Sequence, residues 1–384
     1  MRWYLFIAEY NPDDIRKTTT GDYDFMRYYL FIAGYNGKTE QVGVAISDDG
    51  QHWEISPEPI IPVGKPGSWD AVQTSNPSVL FENGRFRMWY QGVDERNCYH
   101  IGYAESDNGW TWQKKPDVMF QRPGLDTIEN VPRREGYHQP LVLHDHDRYL
   151  MYFSDHCGEP GHIRIAESKD GCTWDVLPDD CLAPLKRWES NGLHYPWVMR
   201  ENTGFVMWYT SEDYRHHWFL NRAVSEDGIH WRRDPNSHPV IGLETTRRFS
   251  AGNYWMPRHL LKFFPNYRHP QVRAAYPDKF KMPEGFPGKM MISLYDRVIF
   301  PFRARRFMSF NNSSVVKMPD ESYLMYFQSR DENGTLSIGR CTSTDGIRWD
   351  NAETDILHAQ IQNTGYEWCS VFDADPHLLI LEDG

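Results

Sequence analysis

Short runs in which every second residue is apolar recur along the chain, as at residues 100–104 and 162–166, the period of a strand with one buried face. Upstream of each lies a more continuous aromatic and aliphatic stretch, at 28–32, 86–90, 149–153, 205–209 and 323–327. A third kind of run, opening on Pro or Ser, precedes most of these, at 77–80, 140–143, 196–199 and 313–316. Each alternating run leads into a box of the form Ser-x-Asp-Gly-x-x-Trp. Five copies begin at Ser47, Ser106, Ser168, Ser225 and Ser343 and end at Trp53, Trp112, Trp174, Trp231 and Trp349, with Asn108 replacing Asp in the second. Asp-Gly or Asn-Gly supplies the positive φ angles of a tight hairpin turn, the Ser and Asp side chains bond the turn's own backbone, and the Trp opens the next strand. The three runs and the strand after the box make four strands, and such a unit repeated at a near-constant period is a propeller blade.

The first unit has no inner strand of its own, and residues 368–372 supply one from the far end of the chain. The predicted fold is therefore an all-β, five-bladed β-propeller of four-stranded antiparallel blades, its ring closed by the C-terminal strand. The blades fall at about 23–55 plus 366–376, 74–115, 137–178, 193–234 and 308–350, and a single propeller domain takes up residues 1–384. Trp231 and Trp349 are separated by about two periods, so residues 238–306 are expected to be a long insertion over one face, with a sixth blade lacking its box as the other reading. Residues 2–11 nearly repeat as 27–36, a duplication without a functional account.

Composition sharpens this picture. No apolar run approaches the ~20 residues of a membrane span, and the net charge of −12 argues against general nucleic-acid binding. The first nine residues have too short an apolar core for a signal peptide. The six cysteines show neither paired nor zinc-type spacing, so a reducing, cytoplasmic setting is expected.

In a propeller the starts of the inner strands converge on one mouth of the tunnel, the expected pocket. The segments that reach it carry Asp70, Asn76, Glu135, His138, Gln139, Glu189, His194, Tyr195, Arg306, Asn312 and Trp368, and the second strands add Asp94, Asp155, His156 and Glu212. Aromatic rings that stack on sugar faces, amides that bond hydroxyls and opposed carboxyls are what glycosidic cleavage needs. The Asp and Ser of the boxes are turn residues and their Trp residues are core. Asp70 has a structural alternative, bonding backbone amides in an inter-blade loop, and Glu135, after two arginines, another in a salt bridge. No cofactor is expected. The imidazoles of His138, His156 and His194 are nevertheless the ligand type that would hold a metal ion near the axis, or one of them would serve as general acid. Arg247, Arg248, Arg258, Arg268, Arg303, Arg305 and Arg306 form a local excess in an acidic chain, which suits an anionic substrate or phosphate.

The boxes, the Met-Trp-Tyr second strands and the unit Gly67-Ser68-Trp69-Asp70 … Asn76-Pro77-Ser78-Val79 resemble the five-bladed propeller glycoside hydrolases of families 32, 43, 68 and 130 and their uncharacterised relatives, over most of residues 23–376. The resemblance implies a base or nucleophile Asp directly before a Pro on the first inner strand, a second, tuning Asp, and a Glu acid further round the ring. Asn76, Gln139 and Tyr195 stand at the pre-proline positions here. The nearest replacements are Asp70, which looks like a displaced base, Glu189, which looks like the acid, and Glu135. The expected function is a carbohydrate-active enzyme that cleaves or transfers a glycosyl group, a hydrolase or phosphorylase, with Asp70 and Glu189 opposed and Glu135 or His138 tuning them. Asn76, Gln139, His194, Tyr195, Asp155, His156, Asn312, Arg306 and Trp368 would hold a small-molecule or oligosaccharide substrate, with no nucleic-acid or membrane partner. The alternative is a non-hydrolytic biosynthetic enzyme or a sugar-binding protein acting through His, Tyr and Asn groups.

Overall fold

A computed structural model describes residues 26–125, 135–156, 160–213, 218–235, 239–240, 311–330, 336–353 and 356–382. The insertion expected at 238–306, apart from 239–240 near its start, lies outside these residues, as do the duplicated copy at 2–11, the double arginine before Glu135, and Arg306 with its neighbouring arginines.

Among the described residues the strands form antiparallel, four-stranded blades. The second blade comprises β4 (Gln73–Glu82), β5 (Arg85–Val93), β6 (Cys98–Ser106) and β7 (Gln113–Lys114). The third comprises β8 (Glu135–Asp145), β9 (Arg148–His156), β10 (His162–Ser168) and β11 (Asp175–Val176). The fourth runs from β12 (Gly192–Glu201) through β13 (Gly204–Glu212) and β14 (Trp218–Ser225) to β15 (Arg232–Arg233). The fifth runs from β16 (Asn311–Lys317) through β17 (Tyr323–Arg330) and β18 (Leu336–Ser343) to β19 (Asp350–Glu353). In the first, β1 (Met26–Tyr35), β2 (Glu40–Ser47) and β3 (Glu54–Ile55) are completed on the inner side by β20 (Phe372–Glu382).

The C-terminal strand thus completes the first blade, but it begins where the expected strand ends. Residues 368–372 are not the strand: Glu367–Cys369 form a 3-10 turn after a short helix, α1 (His358–Thr364). The reason is packing. The Trp368 ring lies across Gly34 and Gly43, where any Cβ would collide with it, and its Nε1 donates to the Ser56 carbonyl at 3.0 Å. Trp368 belongs to the core rather than to a substrate surface.

The box also differs from a two-residue hairpin. Only its Gly has positive φ, 67–78° across the five copies. The preceding Asp or Asn instead accepts two backbone N–H groups through Oδ1, and the Ser Oγ accepts the Gly N–H at 2.8–2.9 Å. The outer strand begins one residue after each box Trp. Each Trp crosses edge-on a second-strand aromatic of the preceding blade: Trp112 on Phe31, Trp174 on Trp89, Trp231 on Tyr152, Trp349 on Trp208, and Trp53 back on Tyr326. The inner strands neighbour one another in the order β20, β4, β8, β12, β16 and β20 again. The chain is a propeller whose inner strands face a common axis. No helix among the described residues is long and apolar enough to cross a membrane.

Candidate functional site at the propeller axis

Every inner strand breaks its pairing with the second strand at one place, and at each break a residue other than Gly takes positive φ: Asn76 (49°), Gln139 (55°), Tyr195 (51°), Asn312 (46°) and Asp375 (54°). Four of the five precede a proline, which has no N–H to donate to the ladder and so sits at a bulge without loss. The bulges turn these five side chains inward. They line one cavity with Pro77, Pro140, Leu141, Pro196, Trp197, Pro376 and His377, of about 290 Å3 with its solvent-open part included.

Asp375 is the carboxyl of this set, and the sequence reading missed it. It is an Asp directly before a proline, Pro376, on the closing strand. The signal is the pair Asp375-Pro376, but the strand expected at 368–372 stops short of it. Its side chain is 5% exposed, and its Oδ1 accepts Asn312 Nδ2 at 2.7 Å. Burial, reinforced by the charge of Glu40, pushes its pKa up to about 8, against the opposing bonds from Asn312 and the Asn76 backbone. Glu40 opens β2 at the same end of the ring, bridged in parallel to Gln73 at the start of β4. Its charge also reaches Tyr195, whose phenol burial holds well above its usual range. Around them runs an amide network. Gln139 Oε1 accepts Ser154 Oγ at 2.8 Å and the Tyr195 N–H at 3.1 Å, while Gln91 Oε1 accepts Asn76 Nδ2 at 3.4 Å and the Gln139 N–H at 3.3 Å.

The expected acid and base are placed elsewhere. Asp70 ion-pairs with Lys114 Nζ at 2.5 Å, accepts Ser68 Oγ at 2.9 Å and Tyr90 OH at 3.5 Å, and does not line the axial cavity. Glu189 is fully buried and doubly bonded by Arg233, Nε to Oε1 and Nη2 to Oε2, each at 2.8 Å. It also accepts the N–H groups of Leu185 and Lys186 and the hydroxyl of Tyr209. Burial works against its charge, yet Arg233 and the two amides outweigh it and hold its pKa below the ordinary value. Five bonds fill both oxygens of Glu189, and each oxygen of Asp70 already has a protein partner. Glu135 opens β8, half-buried, paired in parallel with Cys98. Asp155 faces Arg164 at 3.4 Å and Arg122 at 3.8 Å. Asp94 caps its own turn, accepting the N–H groups of Arg96 and Cys98.

His138, His156 and His194 do come together beside the axis. Each offers a ring nitrogen within 4.8 Å of the others. Burial pushes the pKa of His138 and His194 well down and that of His156 to about 4, so all three are neutral imidazoles at ordinary pH.

A family model described as beta-1,4-mannooligosaccharide phosphorylase, glycoside hydrolase family 130, matches residues 25–175. Uncharacterized proteins of two Mycobacterium tuberculosis strains are 30% identical over 192 residues, covering 45% of this chain and 57% of theirs, so the match spans little more than half the length of these relatives. Among solved structures, a thermostable family-43 glycoside hydrolase superposes with a TM-score of 0.53 at 17% identity, over 85% of this chain and 88% of that one. An endo-1,4-beta-xylanase from Bacteroides thetaiotaomicron gives 0.53 at 13% identity, over 86% and 92%. The beta-1,2-mannobiose phosphorylase of Listeria innocua gives 0.50 at 10% identity, over 80% and 68%. In fold, and in the sequence of its first blades, the chain resembles the five-bladed propeller glycoside hydrolase superfamily.

Proposed function

We propose that the protein is a carbohydrate-active enzyme that cleaves or transfers a glycosyl group at the axial cavity, with Asp375 as general acid. The observation that carries this reading is a buried, proton-holding carboxyl on the axis among amides and a phenol. A general acid must still hold its proton at the working pH, which burial and Glu40 together favour. In the reaction the Asp375 proton passes to the glycosidic oxygen as its bond to the anomeric carbon breaks, and Asp375 is left as carboxylate. A nucleophile adds to that carbon. If it is water, Glu40 is the carboxylate suited to take its proton; if it is phosphate, the co-substrate brings its own charge and no second carboxyl is needed. With one carboxyl among the described residues lining the cavity, phosphorolysis is the simpler of the two. The match to a mannooligosaccharide phosphorylase model makes beta-linked mannosides with inorganic phosphate the first substrates to assay.

The proposed ring has five blades, with residues 238–306 as an insertion rather than a sixth. Trp349 packs on Trp208 of the fourth blade just as Trp112 packs on Phe31 of the first, which supports direct contact between blades four and five.

The test is Asp375→Asn, which keeps the shape and the Asn312 contact and removes the proton. Turnover of an active mannoside should fall by about 100-fold or more, the usual scale of general-acid loss. Full activity in that variant would refute the assignment. Four of the five axial side chains are uncharged, which favours a second reading as a sugar-binding site. Sugar binding by calorimetry without turnover across glycosides, with and without phosphate, selects it.

A further inference from the structure

Blades three and four join where His138 on β8, His156 at the end of β9 and His194 on β12 meet. The position just before the axial residue is Ser75 in blade two, Asn311 in blade five and Ala374 in blade one, so nothing in the repeat calls for histidine there. The rings pack in a row: Tyr99 stacks on His138 at 4.4 Å, His138 is tilted against His156 at 4.4 Å, His156 meets His194 edge-on at 4.9 Å, and His194 is tilted against Trp218 at 5.2 Å. Ring packing accounts for the rings but not for their nitrogens. His138 Nδ1 donates to the Ser154 carbonyl at 2.9 Å, so the neutral ring keeps its lone pair on Nε2. His194 Nε2 is buried and has no hydrogen-bond partner. Gly161 and Gly192, bridged to each other, leave room for these nitrogens: a Cβ at Gly161 would lie 2.5 Å from His156 Nε2, and one at Gly192 3.1 Å from His194 Nε2. Gly161 has no positive φ to require glycine, so the space itself is what its missing side chain provides.

We propose that His138, His156 and His194 bind one divalent transition metal ion of the zinc class. Neutral imidazoles without thiolates suit Zn2+, Co2+ or Ni2+. The Ser154 carbonyl fixes the tautomer and orientation of His138, as the outer partners of metal-bound histidines do. Zinc–nitrogen bonds of about 2.0–2.1 Å require the rings to draw together by roughly an ångström, within the reach of side-chain torsions. Three protein ligands leave a fourth position open. The ion would tie β8 and β9 to β12, one residue away from Gln139 and Tyr195 of the axial cavity. This inference does not rest on the glycosyl-transfer reading.

The experiment is a Co2+ titration of the full chain after removal of metals by chelator, read by visible absorption and by metal content after gel filtration. The expected result is one Co2+ per chain with the intense bands of four-coordinate cobalt, displaced by Zn2+. His156→Ala should weaken binding at least 10-fold to 100-fold, and Gly161→Ala, which keeps every ligand but fills the space at His156 Nε2, should weaken it as well. Should His156→Ala lose its cooperative thermal melt, His156→Gln replaces it at similar bulk. No retained cobalt in the parent chain, or the same affinity and spectrum in the His156 and Gly161 variants, overturns the proposal.

Discussion

A carboxyl keeps its proton at neutral pH when it is shielded from water or placed beside negative charge, and Asp375 meets both conditions. Glu40 supplies the second, so its removal has a definite sign. Glu40→Gln should lower the pKa of Asp375, and the alkaline limb of the activity profile, expected near pH 8 in the parent, should move to lower pH. An unmoved limb would separate the two groups. The same carboxyl has a thermodynamic consequence. Between an unfolded value of roughly 3.9 and about 8, folded Asp375 holds a proton that the unfolded chain has lost, so its contribution to stability declines as pH rises across that window. Asp375→Asn should therefore be more stable than the parent at pH 8–9 in chemical denaturation, while losing turnover. The positive φ at all five axial positions is a property of the bulge, common to every blade; the side chain displayed there is what distinguishes one blade from the next.

Repetition also explains why the sequence drew attention to Asp70 and Glu189. Asp70 precedes Tyr90 by 20 residues and Glu189 precedes Tyr209 by 20, and in each case the base that neutralises the acid, Lys114 or Arg233, stands at the same place on the short outer strand, opposite Ala104 or Ala223. In the first blade the corresponding residues are Cys369, Ile32 and Ile55, packed together in one apolar cluster. In these three blades acid, tyrosine and base occur together or not at all, the mark of a structural anchor that ties the loop before a blade to its second and outer strands. Glu189→Gln leaves Arg233 buried with half a partner and should cost on the order of 3 kcal/mol, seen as a large drop in melting temperature, with kcat retained in the folded fraction. Loss of kcat at unchanged stability would return Glu189 to the chemistry. The blades themselves were legible, because a strand advertises its buried face through alternation and each turn through its Gly. The closing strand was not, since Trp368 and Cys369 look like strand residues although the glycines that receive the ring of Trp368 lie more than 300 positions earlier. One misplaced boundary hid Asp375, while Asn76, Gln139, Tyr195 and Asn312 were found at once.

Across the whole molecule, the ring is held by a cycle of edge-on aromatic contacts that returns from Trp53 to Tyr326, and by β20, which pairs with β1 throughout its length. Its response to pH sums the buried groups. His138, His156, His194 and His377 are all depressed by burial, so below about 6.5 the unfolded chain takes up protons that the folded chain refuses, down to about pH 4 for His156 and His377. Stability should fall on that side, and Asp375 erodes it on the other, up to about pH 8. Denaturation midpoints measured from pH 5 to 9 should pass through a maximum near 6.5; a monotonic trend would contradict these protonation states. Deleting residues 372–382 should leave β1 as an exposed edge and produce aggregates on gel filtration rather than a smaller monomer. The strand that closes the ring is also the one that carries Asp375. During synthesis the other blades emerge first, yet none of them can act until this strand leaves the ribosome and threads home. Competence arrives in a single step with closure, and a chain cut short before that point is disarmed as well as unfinished.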